Sequence, residues 1–261
     1  ESFGKKENLK MVLLALFGAT MGQGVVWYTG QFYAQSFIEN VVKIDFEQSR
    51  TILIWAILFA TPLFVVFGSW SDKVGRKWIM LAGMALAIFT YRPMFAKLKD
   101  LGDPALKTEV VDARQVDVAL KPIEGSADQL RTTTTVSHYS DGMKMTEART
   151  DTAYVDATRL TAKPVVKVTK VVGSGNYWSM VFLIFIMIGY VTMVYGPIAA
   201  FLVELFPTKI RYTSMSLPYH IGNGVFGGLT PFIATLLTTI YVDDKLVGLW
   251  YPIVIAFVSL I

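Results

Sequence analysis

Residues 51–71 run for 21 positions without one charged side chain. A helix bathed in water shows a polar face on every turn, and this run shows none. Crossing the hydrocarbon of a bilayer takes about 20 apolar residues, which fits it. The pattern repeats: residues 11–38 give 28 uncharged positions, 177–203 give 27, and 212–242 give 31 with His220 alone ionisable near neutral pH. Residues 78–91 form a shorter run of 14 that extends to Ala96 if Arg92 snorkels to the interface. A last apolar run, 249–261, stops at the end of the chain. The expectation is an all-α membrane protein with five complete spans and one truncated one.

Charge is segregated to match. The chain is 53% hydrophobic and 17% charged, against about a quarter charged in soluble domains. Residues 97–172 hold 23 of the 44 charged residues. The chain thus divides into spans one to three over residues 1–96, a polar insert over 97–172, and spans four to six over 173–261. Within the insert, "TEVVDARQVDVAL" and "AKPVVKVTKVV" alternate in part as strands do, while "RTTTTVSHYSDG" reads as polar loop. The insert reads as either a small β subdomain or a partly disordered flap, serving as a spacer or cap or as a ligand-binding domain, and its His138 reads as solvated.

Basic residues orient the spans. Lys5, Lys6, Lys10, Lys73, Arg76, Lys77, Lys209 and Arg211 flank one set of ends, against Lys43, Arg50 and Lys245 on the other. The richer side faces the cytoplasm, which places the N-terminus inside and residues 97–172 outside. A net charge of +4 does not indicate nucleic acid, because the basic residues flank apolar runs instead of sharing one surface. The chain has no cysteine, which excludes disulfides, thiolate metal sites and cysteine nucleophiles. No nucleophile–base pair, phosphate loop or metal-ligand spacing appears in the spans, so neither catalysis nor a cofactor is expected.

Between the second and third runs lies "FGSWSDKVGRKW". Gly68 allows close helix approach, Asp72 suits the positive N-terminus of a neighbouring helix, and Gly75 frees the turn. Lys73, Arg76 and Lys77 suit anionic headgroups or an acidic partner. The order G-x-x-x-D-[RK]-x-G-R-[RK] resembles the signature loop of the major facilitator superfamily. Residues 201–228, "FLVELFPTKIRYTSMSLPYHIGNGVFGG", resemble the helix ten–eleven junction of its metabolite:H+ symporter family through Glu204, Phe206, Pro207, Thr208 and Arg211. "GQGVVWYTGQFYAQSF" resembles that family's helix seven.

The resemblance implies the C-terminal half of a twelve-helix permease, its last helix truncated, carrying an extracytoplasmic insert. It also implies a multi-pass inner-membrane protein that takes up a small organic acid, zwitterion or similar metabolite with H+, the proton gradient supplying the energy. The partner would be the other six-helix half, and the signature loop with Glu204, Pro207 and Arg211 would form a latch at the cytoplasmic gate. The alternative is a membrane sensor whose insert binds ligand, which binding to the insert without uptake would favour.

Inside the spans, Gln23, Trp27 and Gln31 recur every fourth residue and share one face. An amide facing lipid is costly, so this face either joins helices or lines a substrate path. Tyr28, Tyr33, Tyr190 and Tyr195 are open between packing and the path. His220, with Asn223 on its face, is either a proton-exchanging group or a neutral histidine bonded to a backbone carbonyl. "GNGVFG" matches a dinucleotide fingerprint literally but lies inside a span, where packing is expected; Gly18 with Gly22 and Gly224 with Gly228 have close-contact spacing. Pro197, Pro218 and Pro231 are expected to bend their helices.

Overall fold

The computed structural model describes residues 4–123, 128–154 and 163–261. Five of its helices are long and apolar enough to cross a membrane. They are α1 (Lys6–Asn40), α2 (Phe46–Val74), α3 (Arg76–Leu101), α4 (Ser174–Leu205) and α5 (Arg211–Ile240). A short apolar helix, α6 (Trp250–Leu260), follows. Between α3 and α4 stands a four-stranded antiparallel meander: β1 (Gln115–Pro122), β2 (Gln129–His138), β3 (Lys144–Ala153) and β4 (Val165–Val171), in the order β1-β2-β3-β4. The bundle has a sheet end, where α2 begins, and an opposite end at the α2–α3 turn.

Local signals set the boundaries. Asp45 caps α2, its carboxylate accepting the N–H groups of Glu47 and Gln48. Gly75 separates α2 from α3 with φ at +103°, which an L side chain rarely adopts. α3 continues to Leu101, one turn past the expected start of the insert. Arg92 within it does not simply reach for headgroups: its guanidinium donates to Asp244 in the α5–α6 connection at 3.0 Å and lies over the Trp250 ring.

α1 and α4 are the interior helices, each with 61% of its most apolar stretch buried, against 17% for α2. At the sheet end the core is aromatic. Tyr33 stacks on Phe95, and Phe37 meets Phe95 edge-on at 5.0 Å. The Tyr91 hydroxyl crosses from α3 to donate to the Val26 carbonyl at 3.0 Å.

Among the described residues three stretches are wound as π-helix: Leu16–Thr20 and Thr29–Tyr33 in α1, and Gly222–Gly227 in α5. Widened turns disturb the ladder of backbone hydrogen bonds, and inside a membrane the affected groups need other partners. Hydroxyls from neighbouring helices bond in and beside these stretches. Ser259 donates to the Phe17 carbonyl at 2.6 Å, Tyr251 to Phe226 at 3.0 Å, and Thr20 to Pro218 at 2.8 Å. α6 thereby holds widened segments of both α1 and α5.

The α1–α5 crossing rests on Gly24, Gly222 and Gly227, while of the glycines with close-contact spacing Gly22 is tight, its Cβ position 2.5 Å from Ser259 and 2.6 Å from Met84. A Cβ built on Gly24 would meet the Gly222 carbonyl oxygen at 2.5 Å, and one on Gly227 would meet Gly24 backbone at 3.0 Å. Gly18 and Gly224 would meet nothing within 4 Å. Spacing of four marked glycine pairs on a regular helix, whereas the π-helical stretch changes which of them face the partner. Gly68 is corrected in the same way: its own Cβ position is open, and the approach comes from Gly196 of α4, whose Cβ position lies 3.7 Å from the Gly68 nitrogen. Pro197 and Pro218 lie inside their helices, while Pro231 opens the last straight stretch of α5, where its missing N–H leaves no gap.

The insert also differs from expectation. "RTTTTVSHYSDG" is not a loop through most of its length; Arg131–His138 belong to β2, an inner strand of the sheet. Four consecutive threonines look polar, yet their β-branched side chains suit a pleated surface that is half-solvated on both faces. Thr132 pairs with Thr150 through their hydroxyls at 3.1 Å, and Arg131 grips Asp151 with two bonds of 2.9 and 2.6 Å. The stretch "AKPVVKVTKVV" forms β4 from Val165 onward, its first residue lying outside the described residues. His138 ends β2 half-buried, its carbonyl accepting the Val110 N–H.

The base of the sheet is fixed to the helices. Gln48 of α2 both donates to and accepts from the Val172 backbone, at 2.9 and 2.8 Å. Lys107 forms a short ion pair with Asp141, which also accepts from Asn176 of α4 at 2.6 Å. Burial pushes the Asp141 carboxyl up, but the Lys107 ammonium and the Met143 N–H outweigh it and hold it below the usual carboxylate range.

Candidate functional site

Two clusters gather most of the residues singled out in the sequence. The first lies at the α2–α3 turn. α2 ends in Asp72 and Lys73, Gly75 reverses the chain, and Arg76 opens α3. Arg76 donates to Asp72 Oδ1 at 2.9 Å and also reaches the Glu204 carboxylate at the end of α4. One guanidinium thus ties three helix ends, and it joins the two separate sequence motifs. Asp72 meets this guanidinium at the start of α3, and not the bare backbone N–H groups first expected of it. Pro207 turns the chain after α4, and Arg211 Nε donates back to the Phe206 carbonyl at 3.1 Å. Lys73 and Lys77 stay exposed on the same end.

The second cluster lies at the α1–α5 crossing. Gln23 is wholly buried, and neither its Oε1 nor its Nε2 has a hydrogen-bond partner. Asn223 donates through Nδ2 to the Tyr219 carbonyl at 3.0 Å, while its buried Oδ1 is unpaired. The two amides lie at one level, because the Cβ position of Gly24, next to Gln23, is 3.2 Å from Asn223 Cα. Each unpaired polar group in an interior costs about 1–3 kcal/mol.

Aromatic rings extend the cluster. Trp27 donates from Nε1 to Gln31 Oε1 at 3.0 Å, and its ring lies against Tyr195 of α4 at 5.1 Å and Tyr28 at 5.4 Å. Tyr195 and Tyr219 share a hydroxyl–hydroxyl bond of 2.9 Å. Trp27 thus brings this face of α1 against α4, and the Gln31 Oε1 is satisfied within its own helix. Arranged this way, the site offers amides that both donate and accept, phenols, and indole, with no formal charge.

His220 is not part of this group. It is exposed on the other side of α5, Nδ1 sitting 2.7 Å from the Ser216 carbonyl. The expected polar groove from His220 through Asn223 does not form. Asn223 falls in the π-helical stretch that begins at Gly222, which alters the helical wheel between them. Tyr219 was missed as a site residue; its spacing of four from Asn223 was the available signal. Tyr190 bonds Thr90 of α3 and Tyr33 packs in the aromatic core, away from the amides.

Two curated relatives align with part of the chain. A putative metabolite transport protein of Haemophilus influenzae is 40% identical over 77 residues, 30% of this chain and 17% of that protein. The inner membrane metabolite transport protein YhjE of Escherichia coli is 35% identical over 69 residues, 26% of this chain and 16% of YhjE. The aligned segments thus span less than a fifth of either relative. No family model matches the chain, and no solved structure matches it.

Proposed function

We propose that this chain works as the C-terminal six-helix half of a major-facilitator-type permease of the metabolite:H+ symporter family. It carries a small organic acid or zwitterion together with protons across the cytoplasmic membrane. In this reading the Gly75 turn faces the cytoplasm and the sheet lies outside. The pairing of Arg76 with Glu204 acts at the cytoplasmic gate, where the two six-helix halves rock against each other.

The observation that carries the reading is Gln23, wholly buried with both amide atoms unpaired, on the helix whose next residue, Gly24, packs against Asn223, where a second buried amide oxygen is unpaired. A structural amide would be bonded or replaced by an apolar residue. A transport site instead keeps its donors and acceptors for a passing substrate. The two relatives named as metabolite transport proteins support the same reading.

The test is uptake of a radiolabelled organic-acid panel by the whole permease in proteoliposomes under an imposed pH gradient. At least one acid should accumulate, a protonophore should abolish accumulation, and Gln23→Ala should reduce it at unchanged protein content. Uptake indifferent to the protonophore removes proton coupling. Uptake indifferent to Gln23→Ala takes that residue out of the path.

A further inference from the structure

A groove of about 930 Å³ lies at the sheet end, between the loop joining α1 to α2 and the edge of β4. Small-molecule sites are typically about 300–1,000 Å³. β4 is the last strand of the sheet and pairs with β3 on one side only. Its other edge meets the loop at one place, where Ile44 bridges Lys170 in parallel. There the Asp45 N–H donates to the Lys170 carbonyl and the Lys170 N–H to the Lys43 carbonyl, both at 2.8 Å. Beyond that bridge the edge of β4 is left facing the groove.

The lining has a definite chemistry. Phe46, Met145, Val166 and Val168 provide apolar surface. Lys43, Lys167 and Lys170 stand against Glu39 and Asp45. Two of these five charges already have work. Asp45 caps α2, and Lys170 Nζ donates to the Gly102 carbonyl at 2.9 Å. That leaves two ammonium groups, on Lys43 and Lys167, against the carboxylate of Glu39, and the balance favours an anion. Lys43 has φ at +67°, alone in positive φ among the described non-glycine residues. Glycine would fit that backbone without strain, so the lysine stands there at a conformational cost that its replacement by glycine would relieve.

We propose that this groove binds a small amphiphilic organic anion, its charged head between Lys43 and Lys167 and its apolar body along Phe46 and Val165, which shares the Lys167 face of β4. The site is separate from the amides in the bundle and stands whether or not the chain transports. Because the groove is walled by the ends of α1 and α2, an occupant there bears directly on both helices.

The test uses the whole protein in neutral phosphatidylcholine nanodiscs, with radiolabelled 4-phenylbutyrate as the probe and equilibrium dialysis as the readout. Saturable binding is expected, and 4-phenylbutylamine should not compete. Lys167→Gln should weaken binding about tenfold, the scale of a lost charge-assisted hydrogen bond. Lys43→Gly should weaken it similarly while raising thermal stability, since it removes the ammonium and relieves φ together. That opposite movement separates a lost ligand contact from misfolding. Including phosphatidylglycerol distinguishes the two sources of such a ligand: displacement of the probe indicates an anionic lipid, and persistence a soluble acid. Non-saturable binding, equal competition by the amine, or binding unchanged in both variants would overturn the proposal.

Discussion

The Arg76 guanidinium bridges the Asp72 and Glu204 carboxylates, fastening the start of α3 to the ends of α2 and α4. Asp72 and Glu204 are 61% and 64% exposed, so solvent screens both pairs and their weight in folding is small. Their role is better sought in the balance between conformations. On the proposed transport reading, Arg76→Gln in the whole protein should leave thermal stability nearly unchanged and slow uptake. A bias of about 1–3 kcal/mol, or about 5–150-fold, is the scale of such coupling. Exchanging the charges through Arg76→Glu with Glu204→Arg should restore part of the loss. Stability falling in step with uptake would make the cluster a structural clamp.

Gln23 permits an experiment in which stability and function move apart. Gln23→Leu removes both unpaired amide atoms while keeping the side chain close in size. Thermal stability should rise, by about 1–3 kcal/mol for each unpaired group relieved, while uptake falls. A lower melting temperature would mean that Gln23 has a partner on the folded protein.

The α1–α5 crossing gives a matched pair of glycine substitutions. Gly24→Ala places a methyl against the Gly222 carbonyl oxygen, a backbone atom that cannot swing aside. Gly224→Ala places one in open space on the same helix pair. The first should lower the yield of folded protein sharply and the second should change little. Equal behaviour would mean that the helices do not cross at Gly24.

These results also mark what the residues reveal unaided. Span positions were legible because hydrocarbon imposes a length and forbids charge, a constraint that needs no tertiary information. The Gly75 turn was legible because a positive φ selects glycine. The family resemblance grouped the signature loop and Glu204 at one gate, but the ion pair of Arg76 with Glu204 was not legible, since it depends on how the complete bundle brings distant motifs together. His220 and Asn223 were placed together on a regular helical wheel, which the π-helical stretch from Gly222 to Gly227 breaks. β2 was hidden because a small sheet solvated on both faces lacks the apolar alternation that marks a buried strand. Thr132 and Thr134 sit on one face and Thr133 and Thr135 on the other, all half-buried.

The accessibility of the sheet tests the proposed orientation in the membrane. Val118 of β1 is 54% exposed, so a cysteine there is open to reagents without disturbing the core. Val118→Cys in the cysteine-free chain should react with a membrane-impermeant maleimide on intact cells. Reaction only after lysis would put the sheet in the cytoplasm and reverse the assignment of the Gly75 turn.

Acid should loosen the seat of the sheet on the bundle. Asp141 lies outside the spans and holds both Lys107 and Asn176. Its carboxyl is held below the usual carboxylate range, because the Lys107 ammonium and the Met143 N–H outweigh the effect of burial. A carboxyl lowered on folding adds stability above its unfolded-state value, near pH 4, and that stability is lost as pH falls through the folded value. Lys107 is 7% exposed, so protonating its partner leaves a buried ammonium without its counter-charge. Hydrogen exchange at the β2–β3 turn, corrected for the intrinsic pH dependence of amide exchange, should therefore be slow at neutrality and should accelerate below about pH 4. Asp141→Asn should show the faster exchange at every pH and lose the acid step. An acid step that persists in Asp141→Asn would assign the loosening to another carboxylate of the insert.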